Sequence, residues 1–188
     1  TAHFGDYKQA KVWPVAAAVE ILHMATLIHD DIIDEAKLRR GTEALQSKHG
    51  KDTAVFAGDY LYSLTFDILA ETVEGEQIKQ VVEIIKKICE GEVQQYQNRY
   101  QTDISYKDYF KLVKQKTAML FEGGCLLGGQ MADLAEERLK NLGRFGRYLG
   151  MAFQLTDDVL DFSQDKRQLG KLATNDFTQG IYTLPILY

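Results

Sequence analysis

The sequence predicts an all-α protein, a bundle of long helices. Helical periodicity runs through nearly all of the 188 residues, and alternating strand patterns are almost absent. Punctuation agrees: there are two prolines, no Gly/Pro/Ser-rich linker, and glycines at plausible breaks, Gly50, Gly75 and Gly170. With 45% hydrophobic residues, a chain of this length buries one sizeable core, so a single domain over 1–188 is expected.

The first predicted helix covers 8–35 and holds the apolar run VAAAVEILHMATLIH, with Pro14 near its start. Helices over 51–72 and 76–100 follow Gly50 and Gly75. The segment IIKKICEGEVQQYQNRYQ within and just beyond the latter is amphipathic and then turns polar. Helices over 105–120 and 120–133 divide where KLVKQKTAMLFEGG passes from polar to apolar. A helix over 137–162 carries a second apolar run, RYLGMAFQLT, and a last one covers 176–188. Sites in such bundles are built from side chains on facing helices.

A net charge of −5 and a pI near 5.4 argue against nucleic acid as a partner. They leave room for an anionic small molecule, because metal ions and clustered basic residues reverse the local field. Cys89 and Cys125 form no metal-ligand spacing and are expected as buried, reduced thiols in the cytoplasm. No signal peptide is visible, and no apolar run is expected to reach the roughly 20 residues of a membrane span. The chain begins at Thr1 and ends at Tyr188 inside an apolar run, so it is expected to be part of a longer protein, truncated at both ends.

One acidic pattern occurs twice, each time ending an apolar run: Asp30-Asp31-Ile32-Ile33-Asp34 and Asp157-Asp158-Val159-Leu160-Asp161. On a helix, residues four apart project together, so Asp30 pairs with Asp34 and Asp157 with Asp161, with Asp31 and Asp158 to one side. His23 and Thr26 lie on the Asp30 stripe. Carboxylates at a helix C-terminus repel one another and oppose the dipole, each by about 0.3–1 kcal/mol. They need cations. An all-oxygen set suits Mg²⁺, Mn²⁺ or Ca²⁺ rather than zinc. Mg²⁺ commonly takes one or two carboxylates, water and substrate phosphates, so two acidic walls would clamp a diphosphate.

Such an anion needs further donors. Arg39 and Arg40 follow the first motif and point different ways, as forks for two anions. Lys116 offers a point charge and Thr117 a hydroxyl. Gln154 shares a face with Asp157, and Lys171 follows the second motif.

The blocks HDDIIDEAKLRRG and FQLTDDVLDF with a downstream LGK, together with KT at 116–117 and GDYLY at 58–62, resemble the trans-polyprenyl diphosphate synthases of the isoprenoid synthase fold. The likeness covers nearly the whole chain in order. It implies mostly antiparallel helices around a central cavity. It also implies that Asp30, Asp34, Arg39, Lys116 and Asp157 carry catalysis. Asp30, Asp34 and Asp157 would hold Mg²⁺, or Mn²⁺ as a substitute, with Asp158 and Asp161 supporting the second wall. Arg39, Lys116, Thr117, Gln154 and Lys171 would hold an allylic diphosphate, and His23 and Arg40 isopentenyl diphosphate. Glu92 is expected to orient Arg39.

In this family the fifth residue before the first Asp often sets product length, and short-chain members tend to carry an aromatic there. Ala25 at that position implies a long product, about C30 to C50, if its methyl leaves the space a ring would fill. Two departures from the pattern stand out. The upstream glycine-lysine-arginine segment is not here, and Gly180 is followed by Ile181 where many members place Lys. Catalytic subunits of two-component heptaprenyl diphosphate synthases share the second departure. The resemblance therefore implies a cytoplasmic, Mg²⁺-dependent enzyme extending farnesyl diphosphate for menaquinone biosynthesis. Its partner would be a small regulatory subunit in a heterodimer, or a second copy in a homodimer, with at most peripheral membrane contact for product release. A class I terpene cyclase and a non-catalytic partner subunit are the competing readings. DDVLD lacks the Asn-Ser/Thr-Glu character of a cyclase's second motif, and both acidic motifs are intact.

Overall fold

The computed structural model of the chain describes residues 1–6, 8–163, 177 and 179–187. By its internal contacts the chain forms two compact units, Thr1–Ile78 with Leu127–Leu134, and Lys79–Leu126 with Ala135–Tyr188.

In the first unit, a single 3₁₀ turn, Ala2–Phe4, precedes α1, Gln9–Ile33. Pro14 lies inside α1, past its first turn, where it removes one internal hydrogen bond. Val15, Ala18, Leu22 and Ala25 form a buried stripe at helical spacing. α1 packs along α3, Lys51–Thr72, whose Ala54, Thr65 and Leu69 are buried. The His29 ring of α1 lies against Gly58 of α3, where a Cβ would sit 2.2 Å from His29 Nε2. The GDYLY segment thus begins with a glycine because a ring occupies that space. The Ala10–Ile33 stretch is, contrary to expectation, long and apolar enough to cross a membrane by length and composition. It packs along α3 and carries the carboxylates of Asp30 and Asp31 in its last turn.

Between these helices the sequence reading missed a short hairpin. Strands β1, Leu38–Arg39, and β2, Thr42–Glu43, pair antiparallel with Leu38 opposite Glu43 and Arg39 opposite Thr42. Arg40 and Gly41 form the two-residue turn with φ of 50° and 81°, the left-handed pair that matches strand twist. A short helix α2, Leu45–His49, leads to Gly50 and α3.

The second unit takes most of α4, Gly75–Gln97, whose Val81, Ile84, Ile88 and Gly91 share a buried stripe. α5, Tyr106–Val113, is capped by Ser105, whose hydroxyl accepts from the Asp108 amide at 3.2 Å. One turn of π-helix, Lys114–Ala118, then joins α5 to α6, Met119–Gln130. α7, Glu136–Ser163, packs against the π turn. The expected helix over 176–188 is interrupted. Residues 181–183 are not helical, Gly180 has φ 75°, and α8 is a short segment, Leu184–Leu187. Glycine tolerates that left-handed φ, and Pro185 is the second residue of α8, in its first turn.

Candidate active site

The first acidic motif is shaped by the way α1 ends. Ala36 N–H donates to Asp31 O at 2.9 Å and Glu35 N–H to Ile32 O at 3.3 Å, with Glu35 at φ 50°. This is a Schellman closure with a non-glycine residue in the left-handed position. It caps the helix within the motif, so Asp30 lies in the last turn and Asp34 at the cap. Both side chains are half-buried. Asp31 is buried at 5% exposure and accepts from Arg39 Nε at 2.9 Å and from Arg39 Nη2, both on Oδ1. That hydrogen bond raises the Arg39 pKa, burial opposes the rise, and the charges of Asp31, Asp30 and Asp34 add to it. Asp31, which the sequence reading did not assign to this role, is a carboxylate that orients Arg39. Arg40 stands exposed at the hairpin turn.

His23 is half-buried on α1, and its carbonyl accepts from Thr26 Oγ1 at 2.8 Å. Ala25 is wholly buried at 0% exposure. Its methyl faces packed protein, so a ring at this position would have to displace a neighbour.

In the second unit the π turn presents Lys116 and Thr117 side by side, both half-buried. Glu92 of α4 accepts from Lys116 Nζ at 2.9 Å. α4 comes close here because residue 91 is glycine; a Cβ there would sit 2.9 Å from Lys116 N. Thr117 Oγ1 donates to Gln154 Oε1 at 2.7 Å, and Gln154 Nε2 donates to Asp158 Oδ1 at 2.8 Å. The other Asp158 oxygen accepts from the Tyr109 hydroxyl.

Asp158 is buried at 3% exposure, while Asp157 is exposed and Asp161 half-buried. Burial pushes the Asp158 carboxyl upward. The Tyr109 and Gln154 hydrogen bonds pull it down, and Asp157 and Asp161 add to the rise. Burial, then Asp158 itself, push the Tyr109 hydroxyl well above its ordinary range. Lys171 lies outside the described residues.

The two motifs share one division of labour. Their second aspartates, Asp31 and Asp158, are buried and held by protein donors, whereas the flanking aspartates are more open. Among the described residues, no three Asp, Glu, His or Cys side chains gather as a closed metal cage. Oxygen donors presented singly or in pairs fit a hard divalent ion that completes its shell with water and phosphate. Asp158 has both oxygens engaged by protein donors. The sequence reading did not find Tyr109 or the holding role of Asp31. A buried tyrosine needs a partner for its hydroxyl, which is a usable signal once burial is known.

The family model described as Polyprenyl synthetase matches residues 1–188. The chain is 40% identical over 187 residues to component 2 of heptaprenyl diphosphate synthase from Geobacillus stearothermophilus, covering 100% of this chain and 58% of that protein. It is 38% identical over 174 residues to octaprenyl diphosphate synthase of Escherichia coli (strain K12), covering 93% of this chain and 54% of that one. The crystal structure of heptaprenyl diphosphate synthase from Staphylococcus aureus superposes with a TM-score of 0.90 at 35% identity, over 93% of this chain and 55% of that one. A polyprenyl synthase from Caulobacter crescentus CB15, solved with calcium and isoprenyl diphosphate, superposes with a TM-score of 0.87 at 37% identity, over 93% and 53%. The chain therefore spans little more than half the length of these relatives.

Proposed function

This chain belongs to the polyprenyl synthetase family, and on that premise we propose that it condenses an allylic diphosphate with successive isopentenyl diphosphates to a long trans-prenyl product. The observation that carries the reading is the repeated split between one buried, protein-held aspartate and two more open ones. That arrangement leaves Asp30, Asp34, Asp157 and Asp161 nearer the surface than the two held aspartates, where a metal-bound anion can approach.

In this mechanism Asp30 and Asp34 of the first motif and Asp157 of the second would hold divalent cations, with Asp158 and Asp161 supporting Asp157. Bound Mg²⁺ would supply charge neutralisation on the departing diphosphate. Lys116 and Thr117 donate to the diphosphate oxygens, and Gln154 sets the direction of the Thr117 hydroxyl. Arg39 keeps part of its guanidinium for the allylic diphosphate while Asp31 fixes its plane. His23 and Arg40 hold the diphosphate of the acceptor substrate, and Lys171 joins the donors after the second motif.

The allylic C–O bond breaks and its electron pair leaves with pyrophosphate, where these donors stabilise the growing charge. The double bond of isopentenyl diphosphate attacks the allylic cation, forming the new C–C bond. A proton leaves the neighbouring carbon for the released pyrophosphate, restoring a double bond. Apolar helix walls keep water from the cation.

Relatives called heptaprenyl diphosphate synthase component 2 support a product of about seven units and a small second subunit. The finer reading is heptaprenyl diphosphate made from farnesyl diphosphate in the cytoplasm for menaquinone, with Mn²⁺ as a substitute metal. Cys89 is exposed and Cys125 half-buried, rather than both buried as expected.

The test incubates the full-length polypeptide, with and without its partner subunit, with farnesyl diphosphate, labelled isopentenyl diphosphate and Mg²⁺. Chromatography of the products should give a long chain whose synthesis needs isopentenyl diphosphate. Turnover of the allylic diphosphate alone to a cyclic hydrocarbon would instead mean a cyclase. No turnover in either arm would mean a non-catalytic subunit.

A further inference from the structure

The hydroxyl of Tyr109 reaches the second acidic motif from a different helix, 49 residues away in sequence. Tyr109 is 3% exposed and begins the buried side of α5, with Val113 one turn on. Its ring meets Phe110 edge-on at 5.4 Å and 68°. The segment from α5 into the π turn thus meets α7 through two rungs. Tyr109 bonds Asp158, Thr117 bonds Gln154, and Gln154 bonds Asp158 in turn.

We propose that Tyr109 is a positioning residue for the second acidic motif: it holds one oxygen of Asp158 while Gln154 holds the other, fixing the rotation of α7 at Asp157 and Asp161. This deepens the proposed function and rests on it.

The physical reason is geometric. A buried carboxylate that loses a donor must find another or turn toward water. If α7 turns by about 20°, a carboxylate carried about 6 Å from the axis swings by about 2 Å. Asp157, one residue before Asp158, would swing with it. The same clamp reaches Thr117, so one hydroxyl keeps a metal wall and a diphosphate donor in register. The structure of the clamp also explains why a tyrosine is needed. Phenylalanine would fill the same buried volume and leave Asp158 Oδ2 without this donor.

The test uses the full-length polypeptide and a readout other than turnover. Mg²⁺ is titrated in the presence of inorganic pyrophosphate and binding is followed by calorimetry. Tyr109→Phe is expected to weaken Mg²⁺-pyrophosphate binding about tenfold, as loss of a group supporting a metal site does. Unchanged binding overturns the proposal. Asp158→Asn keeps an acceptor for only one of the two donors, so it loosens the clamp without changing volume and should weaken binding likewise; it also serves if Tyr109→Phe fails to fold.

In the double variant, Tyr109→Phe should add less than about twofold to the loss from Asp158→Asn, because both act through one bond. Fully multiplied losses would mean that Tyr109 acts elsewhere, against the proposal. Asp157→Ala separates the two levels of inference. If it weakens binding and Tyr109→Phe does not, the positioning role alone falls. If Asp157→Ala leaves binding intact, the metal role of this wall falls, and the positioning role falls with it.

Discussion

Asp31 and Arg39 form an ion pair across the end of a helix, with Arg39 on the hairpin strand and Asp31, 5% exposed, in the last turn of α1. The pair locks the hairpin against the first acidic motif. Arg39→Gln leaves the buried carboxylate without its cation and should cost about 1–2 kcal/mol, between the worth of surface and fully buried pairs. Asp31→Asn alone should cost less, because no charge stays buried. The double variant should recover most of the loss from Arg39→Gln. Urea unfolding of the three variants checks this; equal losses for Arg39→Gln and the double variant would contradict it.

Arg40 sits at φ 50° in the two-residue turn, a conformation that favours glycine. Arg40→Gly should relieve that strain. The gain is offset in part by the added freedom of the unfolded chain, leaving about 0.5–1 kcal/mol of net stabilisation. If Arg40 holds the acceptor diphosphate, the same change should raise the KM for isopentenyl diphosphate while kcat falls less. A thermal melt and a substrate titration read the two effects separately. A variant both less stable and unaltered in KM would refute both halves.

Those two arginines also mark where sequence reading stopped. The long elements were legible: predicted 8–35 and 51–72 correspond to observed Gln9–Ile33 and Lys51–Thr72, because apolar periodicity over 20 residues and a flanking glycine leave little choice. The acidic motifs were legible as helix-end carboxylates with two on one face. The hairpin was not, since strands of two residues leave no alternating pattern. Which aspartate in each motif is buried was also hidden. Asp31 depends on a residue beyond the helix end, and Asp158 depends on Tyr109 from another helix. Such pairings arise from tertiary packing, to which a helical period is blind.

Gly91 makes room for the π turn that carries Lys116 and Thr117. A methyl group there would sit 2.9 Å from Lys116 N and 3.2 Å from its Cα, both backbone atoms that cannot swing aside. Gly91→Ala should therefore push α4 from the π turn. It should cost about 1–3 kcal/mol despite alanine's better helix propensity. The strain falls beside the Glu92–Lys116 ion pair, so KM for the allylic diphosphate should rise as well. Urea unfolding and allylic-substrate kinetics together check it. A more stable variant, as propensity alone would give, would falsify the close-contact account.

Ala25 has no exposed surface, and an aromatic ring there must move its packed neighbours. Ala25→Phe should destabilise the protein by about 1–3 kcal/mol through overpacking. The same ring should shorten the product if Ala25 underlies the growing chain. Product chromatography beside a thermal melt reads both. A shorter product with a lowered melting temperature is expected; an unchanged distribution would remove Ala25 from length control.

Metal dependence should be tied to the anion. Among the described residues no closed cluster of three ligands exists, and Asp30, Asp34 and Asp157 sit on more open surface than Asp31 or Asp158. Mg²⁺ keeps several waters and binds weakly to one or two carboxylates unless phosphate oxygens complete its shell. A chelator should thus abolish prenyl transfer while leaving the melting temperature of the ligand-free protein unchanged. Mg²⁺ alone should raise that temperature little. Mg²⁺ with inorganic pyrophosphate should raise it clearly, because a ligand binding only the folded state at about 100 times its Kd adds about 2.7 kcal/mol. Asp30→Ala should remove both the transfer activity and most of the combined shift. A large shift with Mg²⁺ alone would mean a preformed metal site that needs no diphosphate, against this account.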